Sequence, residues 1–162
     1  MPNATSHGLL ERMPPSQLEH PVVRAGWDCW TRLQGGRAFL ARSEITPRAL
    51  GHLLANTTLV KVIPEKDDFE LRFAGDAITR AFRAPVHGHR LSDLSRTMPI
   101  MTEPLRGQYR EVVDTRNPQG WRYTAEDDLD EITYSVAESL VLPLSGDGDA
   151  VDHILGFTGF PA

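Results

Sequence analysis

Two histidines, His87 and His89, flank Gly88 and could bring two imidazole rings close to a metal ion or a haem iron. Imidazole is a common ligand of both zinc and haem iron. A protein zinc site uses at least three protein ligands, and the sequence around this pair offers no third one. We therefore predict that the histidines lie in a loop or at the edge of the core, and we assign no metal site.

A run of acidic residues, Glu126–Glu131, could offer carboxylate oxygens to a divalent cation. Calcium loops of the EF-hand type need ligands at alternate positions and a glycine at the sharp turn. The run has neither feature. We interpret it as a solvated acidic loop.

Many enzymes carry short motifs, such as phosphate-binding glycine loops, nucleophile elbows and zinc-protease helices. The sequence contains none of them, and Gly146-Asp147-Gly148 is typical of a turn. An acid and a base can also come from distant positions such as His89 and Asp93, which keeps a small pocket enzyme open as an alternative. We assign no catalytic residue.

The composition of the chain is that of one globular domain. It has 162 residues, of which 40% are hydrophobic and 24% are charged. A domain of this size buries enough apolar surface to fold without disulfides or structural metals. The formal net charge of −5 argues against a nucleic-acid partner, because such proteins present a basic face to the phosphates.

The lack of a recognisable targeting signal and the use of cysteine indicate a cytoplasmic protein. The first twenty residues lack the pattern of a signal peptide, and no later apolar run is long enough to span a membrane. Cys29 is the single cysteine, which excludes an intramolecular disulfide and fits a reducing compartment.

The elements that would position these residues begin with a flexible arm over residues 1–19, predicted from Pro2, Pro14 and Pro15 among small polar residues. The folded domain then covers residues 20–162. A helix from His20 to Leu33 carries an apolar stripe and ends at two glycines. A short helix follows, with Thr46-Pro47 at its start.

The rest of the sequence predicts five strands and a group of helices. A hairpin joins Thr57–Ile63 to Phe69–Phe73, and a long helix runs from about Ile100 to Thr115. Runs of strands separated by a run of helices favour an α+β fold with a five-stranded antiparallel sheet and helices on one face. The last three strands are Trp121–Tyr123, Tyr134–Leu144 and Val151–Phe160.

Short motifs occur in a fixed order through the predicted domain: Trp30, Gly35-Gly36-Arg37, Arg42, Ile45, Pro47, Phe69–Gly75, Gly88, Leu91–Leu94 and Leu140–Leu144. Taken together they resemble the single-domain PAS family of the alphaproteobacterial type, over residues 20–160. Two features depart from that pattern. Ala41 stands where the family often has proline, and the insertion Thr124–Thr133 is longer than expected.

The resemblance implies a ligand cavity between the sheet and the helices, and a sensor domain with no catalytic activity of its own. Because alternate residues of a strand share a face, Leu71 and Phe73 are expected to line that cavity. We expect Phe82, His89 and Tyr109 to complete the ligand site.

The resemblance does not identify a cofactor, and we expect a colourless protein. Flavin photosensors of the PAS class need a cysteine in the central helix, whereas Cys29 lies in the first helix. We interpret it as a small, weakly polar packing residue. Haem-binding PAS domains use a histidine on the long helix, and Ile100–Thr115 has none.

The function predicted from these observations is a cytoplasmic sensor that binds a small ligand and acts in trans on a partner signalling protein. Two alternatives remain. One is a constitutive interaction module whose cavity is filled by its own side chains, and the other is the pocket enzyme.

A homodimer is predicted from the first helix. Val23, Trp27 and Trp30 form one stripe, and tryptophans exposed on a stripe indicate a partner surface. In the alternative, the helix folds back across the open face of the sheet and buries both rings within one chain.

Overall fold

The computed structural model describes residues 2–5, 8–82, 85–125 and 136–161. Its seven strands form one antiparallel sheet in the order β1-β2-β5-β6-β7-β3-β4. The α+β fold is therefore confirmed, and the five predicted strands are β3 to β7. The strands are β1 (Pro2–Thr5), β2 (Gly8–Met13), β3 (Thr57–Ile63), β4 (Asp68–Ala74), β5 (Gln119–Ala125), β6 (Val136–Leu144) and β7 (His153–Gly159).

The N-terminal segment differs from the flexible arm predicted for residues 1–19. Strand β2 pairs with β5 along its whole length, from Gly8 opposite Ala125 to Met13 opposite Gly120. The pairing extends the sheet by two strands. It also covers the edge of β5, whose backbone groups would otherwise be unpaired. Whether a domain boundary falls at residue 19 stays a prediction.

Helices cover both faces of the sheet. The first helix, α1, packs on β6 and β7, whereas α5 packs on β6 from the opposite side. The structure thus places the predicted N-terminal flanking helix on the face opposite α3, α4 and α5, where Leu50 of α2 joins the same core. The helices are α1 (Pro21–Gln34), α2 (Pro47–Leu50), α3 (Asp76–Ala81), α4 (Leu91–Leu94) and α5 (Pro99–Thr115).

Local signals define both ends of α1. The side chain of His20 accepts a hydrogen bond from the backbone N–H of Val22 at 3.2 Å, and Pro21 occupies the first helical position. Gly35 ends the helix with φ of +56°, in the left-handed region that glycine adopts without strain. Within the helix, a Cβ added to Gly26 would lie 2.6 Å from the ring of Phe157 on β7. Glycine there permits a close approach of helix and sheet.

The sheet separates two hydrophobic cores. Alternate residues of β6 and β7 point to opposite faces, so Leu140 and Phe157 join the core under α1, whereas Val141 and Ile154 join the core under α5. A strand that is apolar at every position is typical of burial on both faces. Residues 140–144 of β6 are all buried.

A β-bulge in β4 changes which face Phe73 occupies. Leu59 of β3 lies opposite Phe73, and the next residue, Val60, lies opposite Leu71, so Arg72 has no partner across the ladder. The extra residue shifts the alternation by one. Phe73 is half-buried and packs against the core under α1, whereas Leu71 is buried in the core under α5.

Candidate functional site

Two adjoining cavities lie between the sheet and α5. One has a volume of about 60 Å³ and the other about 40 Å³. They share a set of lining residues, so we treat them as one bipartite cavity. The shared residues are Phe82, Met101, Leu105, Gln108, Ser139 and Thr158.

The cavity exists because the central strands carry small side chains on this face. Ala137 and Ser139 of β6 and Gly156 and Thr158 of β7 all line it. Apart from Glu138, the neighbouring positions Leu140, Leu155 and Phe157, which point to α1, are large and apolar. The two strands therefore fill one face tightly and leave space on the other.

Gln108 supplies the least expected feature of the cavity. The residue lies on α5, is 7% exposed, and lines both halves of the cavity. Its Oε1 atom is buried and has no hydrogen-bond partner. A buried acceptor without a partner destabilises the fold by roughly 1–3 kcal/mol. The Oγ atom of Ser139 and the Oγ1 atom of Thr158, 3.4 Å apart, add two hydroxyls to the same lining.

A larger, open groove adjoins this cavity between β2, β5 and α5. Its volume is about 450 Å³, and it shares Leu10, Pro104 and Gln108 with the larger half of the cavity. Arg12 of β2 pairs with Glu111 of α5, and its guanidinium lies 5.8 Å from the ring centre of Trp121. The N-terminal hairpin thus forms one wall of the groove and, through Leu10, of the cavity.

Three of the five predicted ligand residues border the cavity. Leu71, Phe82 and Tyr109 line it. The ring of Tyr109 lies 5.4 Å from that of Phe69, and burial raises the pKa of the Tyr109 hydroxyl. The hydroxyl is therefore neutral at physiological pH. Their role in binding a ligand stays a prediction.

Phe73 and His89 do not border the cavity. The bulge turns Phe73 to the other face, as described above. His89 is exposed, and its backbone carbonyl accepts a hydrogen bond from the N–H of Leu71 at 2.9 Å. The backbone of His89 therefore pairs with the edge of β4, and its side chain lies outside the cavity lining. The prediction that Phe73 lines the cavity is wrong for this structure, whereas a role of His89 in binding a ligand stays a prediction.

The predicted dimer stripe lies largely inside one chain. Val23 is fully buried and Trp30 is 2% exposed, both in the core under α1, whereas Trp27 is half-buried at its margin. Side chains packed against their own sheet cannot also contact a second chain. Val23 and Trp30 are therefore corrected from interface residues to core residues. The homodimer itself stays a prediction.

Glu138 attaches the start of α1 to the sheet. This β6 residue is 2% exposed, and its Oε1 accepts hydrogen bonds from the backbone N–H groups of Glu19 at 2.8 Å and His20 at 2.7 Å. Its Oε2 accepts from the guanidinium of Arg122 at 2.5 Å and 3.1 Å. Burial alone raises the pKa of Glu138, but the hydrogen bonds from His20 and Arg122 outweigh it and the pKa is lowered. Glu138 is therefore ionised at neutral pH.

The other candidate groups show no assembled site among the described residues. His87 is exposed and its ring lies 6.1 Å from that of Phe73, edge to face. Cys29 is buried, and burial raises the pKa of its thiol, with a smaller opposing effect of Arg32. In the described ranges, no three His, Cys, Asp or Glu side chains group as metal ligands do. The acidic run Glu126–Glu131 lies outside the described residues.

The comparisons with known proteins agree with this geometry. A PAS domain family profile matches residues 18–158, nearly the whole chain. The chain therefore belongs to the PAS domain family, a class of sensory and signalling modules. The alphaproteobacterial type stays a prediction. No curated protein and no solved structure shows significant similarity to the chain.

The family match and the cavity do not cover the same residues. The match begins at residue 18, after the hairpin that supplies Leu10 to the cavity wall.

Among the described residues, none of the helices combines the length and apolar character of a membrane span.

The sequence analysis did not predict three polar residues that line the cavity. Gln108, Ser139 and Thr158 belong to no motif, and each looks like an ordinary polar position. A signal was present, however. In β6 the small residues Ala137 and Ser139 alternate with larger ones, which indicates a strand with a packed face and an open face.

Proposed function

We propose that this PAS domain is a cytoplasmic sensor that binds a small molecule in the cavity under α5 and acts in trans on a partner signalling protein. The observation that carries the proposal is the cavity itself, in which the side chain of Gln108 and the hydroxyls of Ser139 and Thr158 lie among apolar residues. A mostly apolar pocket with a few convergent polar groups is the usual form of a small-molecule site.

The cavity and the attachment point of α1 are adjacent in the sequence of β6. Ser139 borders the cavity, and the preceding residue of β6, Glu138, holds the start of α1 on the other face. A ligand that moves β6 therefore acts directly on the anchor of α1. A ligand shifts such an equilibrium only if it binds the two states with different affinity.

The chemistry of the lining supports binding over catalysis. Most of the described lining is apolar, and its polar members are an amide, hydroxyls and the phenols of Tyr109 and Tyr123. Pairs of titratable groups with opposed pKa shifts are the usual mark of acid–base catalysis. The described lining supplies no such pair, so the pocket enzyme receives no support from it.

One observation favours the interaction module. The two halves of the cavity, about 60 and 40 Å³, are well below the roughly 300–1,000 Å³ of pockets for drug-sized ligands. A protein that only pairs with others could retain voids of this size as packing defects.

Native mass spectrometry of freshly purified protein separates the two functions. We expect a retained mass that is absent after denaturation. The substitution Ser139→Leu, which places a larger side chain in the cavity, should release that mass, whereas Ser43→Leu at an exposed position should retain it. An identical mass before and after denaturation, together with undiminished partner binding by Ser139→Leu, would favour the interaction module.

A further inference from the structure

The cavity under α5 needs a route from solvent, and we propose that this route is the open groove between β2, β5 and α5. Leu10 of β2 and residues 104–107 of α5 form a gate between the groove and the cavity, and the ion pair of Arg12 with Glu111 holds the gate closed. The inference rests on the proposed function, since it treats the cavity as a site that small molecules enter. The hairpin side of the gate precedes residues 18–158, which the PAS family profile matches.

The groove and the cavity have a common wall. Leu10, Pro104 and Gln108 line both the groove, of about 450 Å³, and the larger half of the cavity, of about 60 Å³. Gln108 is 7% exposed, whereas Leu10 and Pro104 are only half-buried. Leu10 and Pro104 are therefore the part of this wall that solvent reaches.

The α5 side of the gate is a weakened turn of the helix. Pro104 lies inside α5, where it has no N–H to donate to the carbonyl four residues earlier. Gly107 is exposed, and glycine lowers the stability of a helix relative to alanine. Both residues line the groove. We therefore expect this turn to move away from the hairpin more readily than the rest of α5.

The hairpin side of the gate is held by an ion pair. Arg12 lies two positions after Leu10 on β2, so the two side chains share a face of the strand. Its guanidinium pairs with the carboxylate of Glu111, which lies about one helical turn after Gly107. The two side chains are 52% and 27% exposed, and exposed ion pairs stabilise only weakly. The pair therefore keeps the hairpin against α5 and still allows it to open.

Xenon is a suitable probe of this route, because it enters small apolar cavities. Protein-observed NMR of the full chain under xenon should shift the signals of residues around the cavity, such as Leu105 and Ser139. Saturation transfer in the xenon spectrum then measures the rate at which xenon leaves and enters. Arg12→Gln removes the ion pair, and we expect it to raise the exchange rate about threefold, as the loss of one exposed ion pair should.

Gly107→Phe should have the opposite effect. A carbon added to Gly107 meets no atom within 4 Å, so the new ring extends into the groove beside the gate. Packing a ring there raises the barrier to opening, and we expect exchange to be about tenfold slower. Neither Arg12 nor Gly107 lines the cavity, so the affinity for xenon should change little in either variant.

Arg110→Gln is the matched control. It breaks another exposed ion pair of α5, with Asp67, and neither residue lines the groove. We expect the exchange rate of xenon in this variant to equal that of the wild type.

Three results would overturn the inference. An unchanged rate in Arg12→Gln or in Gly107→Phe would place the entrance elsewhere. An equal acceleration in Arg110→Gln and Arg12→Gln would show that loosening α5 at any point opens the cavity. Absence of xenon from the cavity would show that the groove gives no access to it. In each case the retained mass in native mass spectrometry decides the proposed function separately, because it does not depend on the route of entry.

Discussion

The helices α1 and α5 pack on opposite faces of the same two strands, yet the two interfaces differ in kind. Under α1, Gly26 approaches Phe157 so closely that a single added carbon would overlap the ring. On α5, a carbon added to Gly107 would have no atom within 4 Å. The next residue, Gln108, lines the cavity. All three cavities described above border α5.

This difference in packing indicates that the two faces of the sheet have different roles. A close-packed interface has little free volume and transmits a displacement of one partner to the other. An interface with voids can admit a ligand or rearrange around one. We infer that α5 covers the receptive face, and that α1 reports changes in the sheet to other molecules.

Removing one aromatic ring from each face should give the largest contrast in stability. Phe157→Ala deletes a fully buried ring under α1, and we expect it to lower the free energy of unfolding by about 3–5 kcal/mol. Phe82 is half-buried at the cavity, so Phe82→Ala should cost about 1–2 kcal/mol. Chemical denaturation measures both values. Equal losses would contradict the difference between the two faces.

Removing the charge of Glu138 should weaken the attachment of α1 at neutral pH. In Glu138→Gln the guanidinium of Arg122 loses its buried carboxylate partner and keeps only the exposed one of Glu19 at 3.4 Å, and we expect a loss of about 2 kcal/mol. Glu70→Gln is the control, because the Glu70–Arg72 pair is more exposed, with side chains 22% and 48% accessible. That pair should contribute less than about 1 kcal/mol.

The same substitution should alter the dependence of stability on pH. The pKa of Glu138 is lowered in the folded state, so its ionised form stabilises the fold fully above its ordinary value of 4.5. That stabilisation is lost as the pH falls through the lower, folded pKa. The difference between the wild type and Glu138→Gln should therefore shrink as the pH falls below 4.5. A constant difference down to pH 2 would show that the charge is not responsible.

The two helix-interior glycines should respond to alanine in opposite directions. Alanine favours a helix over glycine by about 1 kcal/mol when nothing else changes. At Gly107 the added carbon meets nothing, so Gly107→Ala should raise the melting temperature. At Gly26 it overlaps the ring of Phe157, and overpacking of this kind costs about 1–3 kcal/mol. A rise in the melting temperature for both variants would show that α1 is free to move away from the sheet.

The sequence is sufficient to predict strands β3 to β7 and the long helices, because they depend on local patterns. Leu140–Leu144 indicates a strand buried on both faces, and Asn117-Pro118 marks the end of the long helix. The bulge at Arg72 could not be predicted in the same way. Nothing in the alternation of Phe69–Phe73 distinguishes a regular strand from one with an extra residue, and that residue decides which face Phe73 occupies.

The candidate site was harder to predict than the fold for a similar reason. A cavity is the space that several elements leave between them, so it depends on long-range packing and not on any single motif. Leu71, Phe82 and Tyr109 were predicted correctly as neighbours of the cavity because they are large apolar residues on the elements that enclose it. Leu10 could not be predicted in this way, because the prolines of its segment are typical of a flexible arm. The segment reaches the cavity only because β2 pairs with β5.

The smallest expected effect is an increase in stability when the polar group of the receptive face is removed. Gln108 holds an acceptor buried without a partner, and its replacement by methionine keeps the volume of the side chain. We expect Gln108→Met to raise the free energy of unfolding of ligand-free protein by about 1 kcal/mol, since a buried acceptor without a partner costs at least that much. Binding sites commonly retain groups that lower the stability of the fold. The control is Gln34→Met, which should change stability by less than about 0.5 kcal/mol, because Gln34 is only half-buried on α1. Destabilisation by Gln108→Met would indicate that water already occupies the cavity and bonds to Oε1, and the two faces would then differ in hydration and not in readiness to bind.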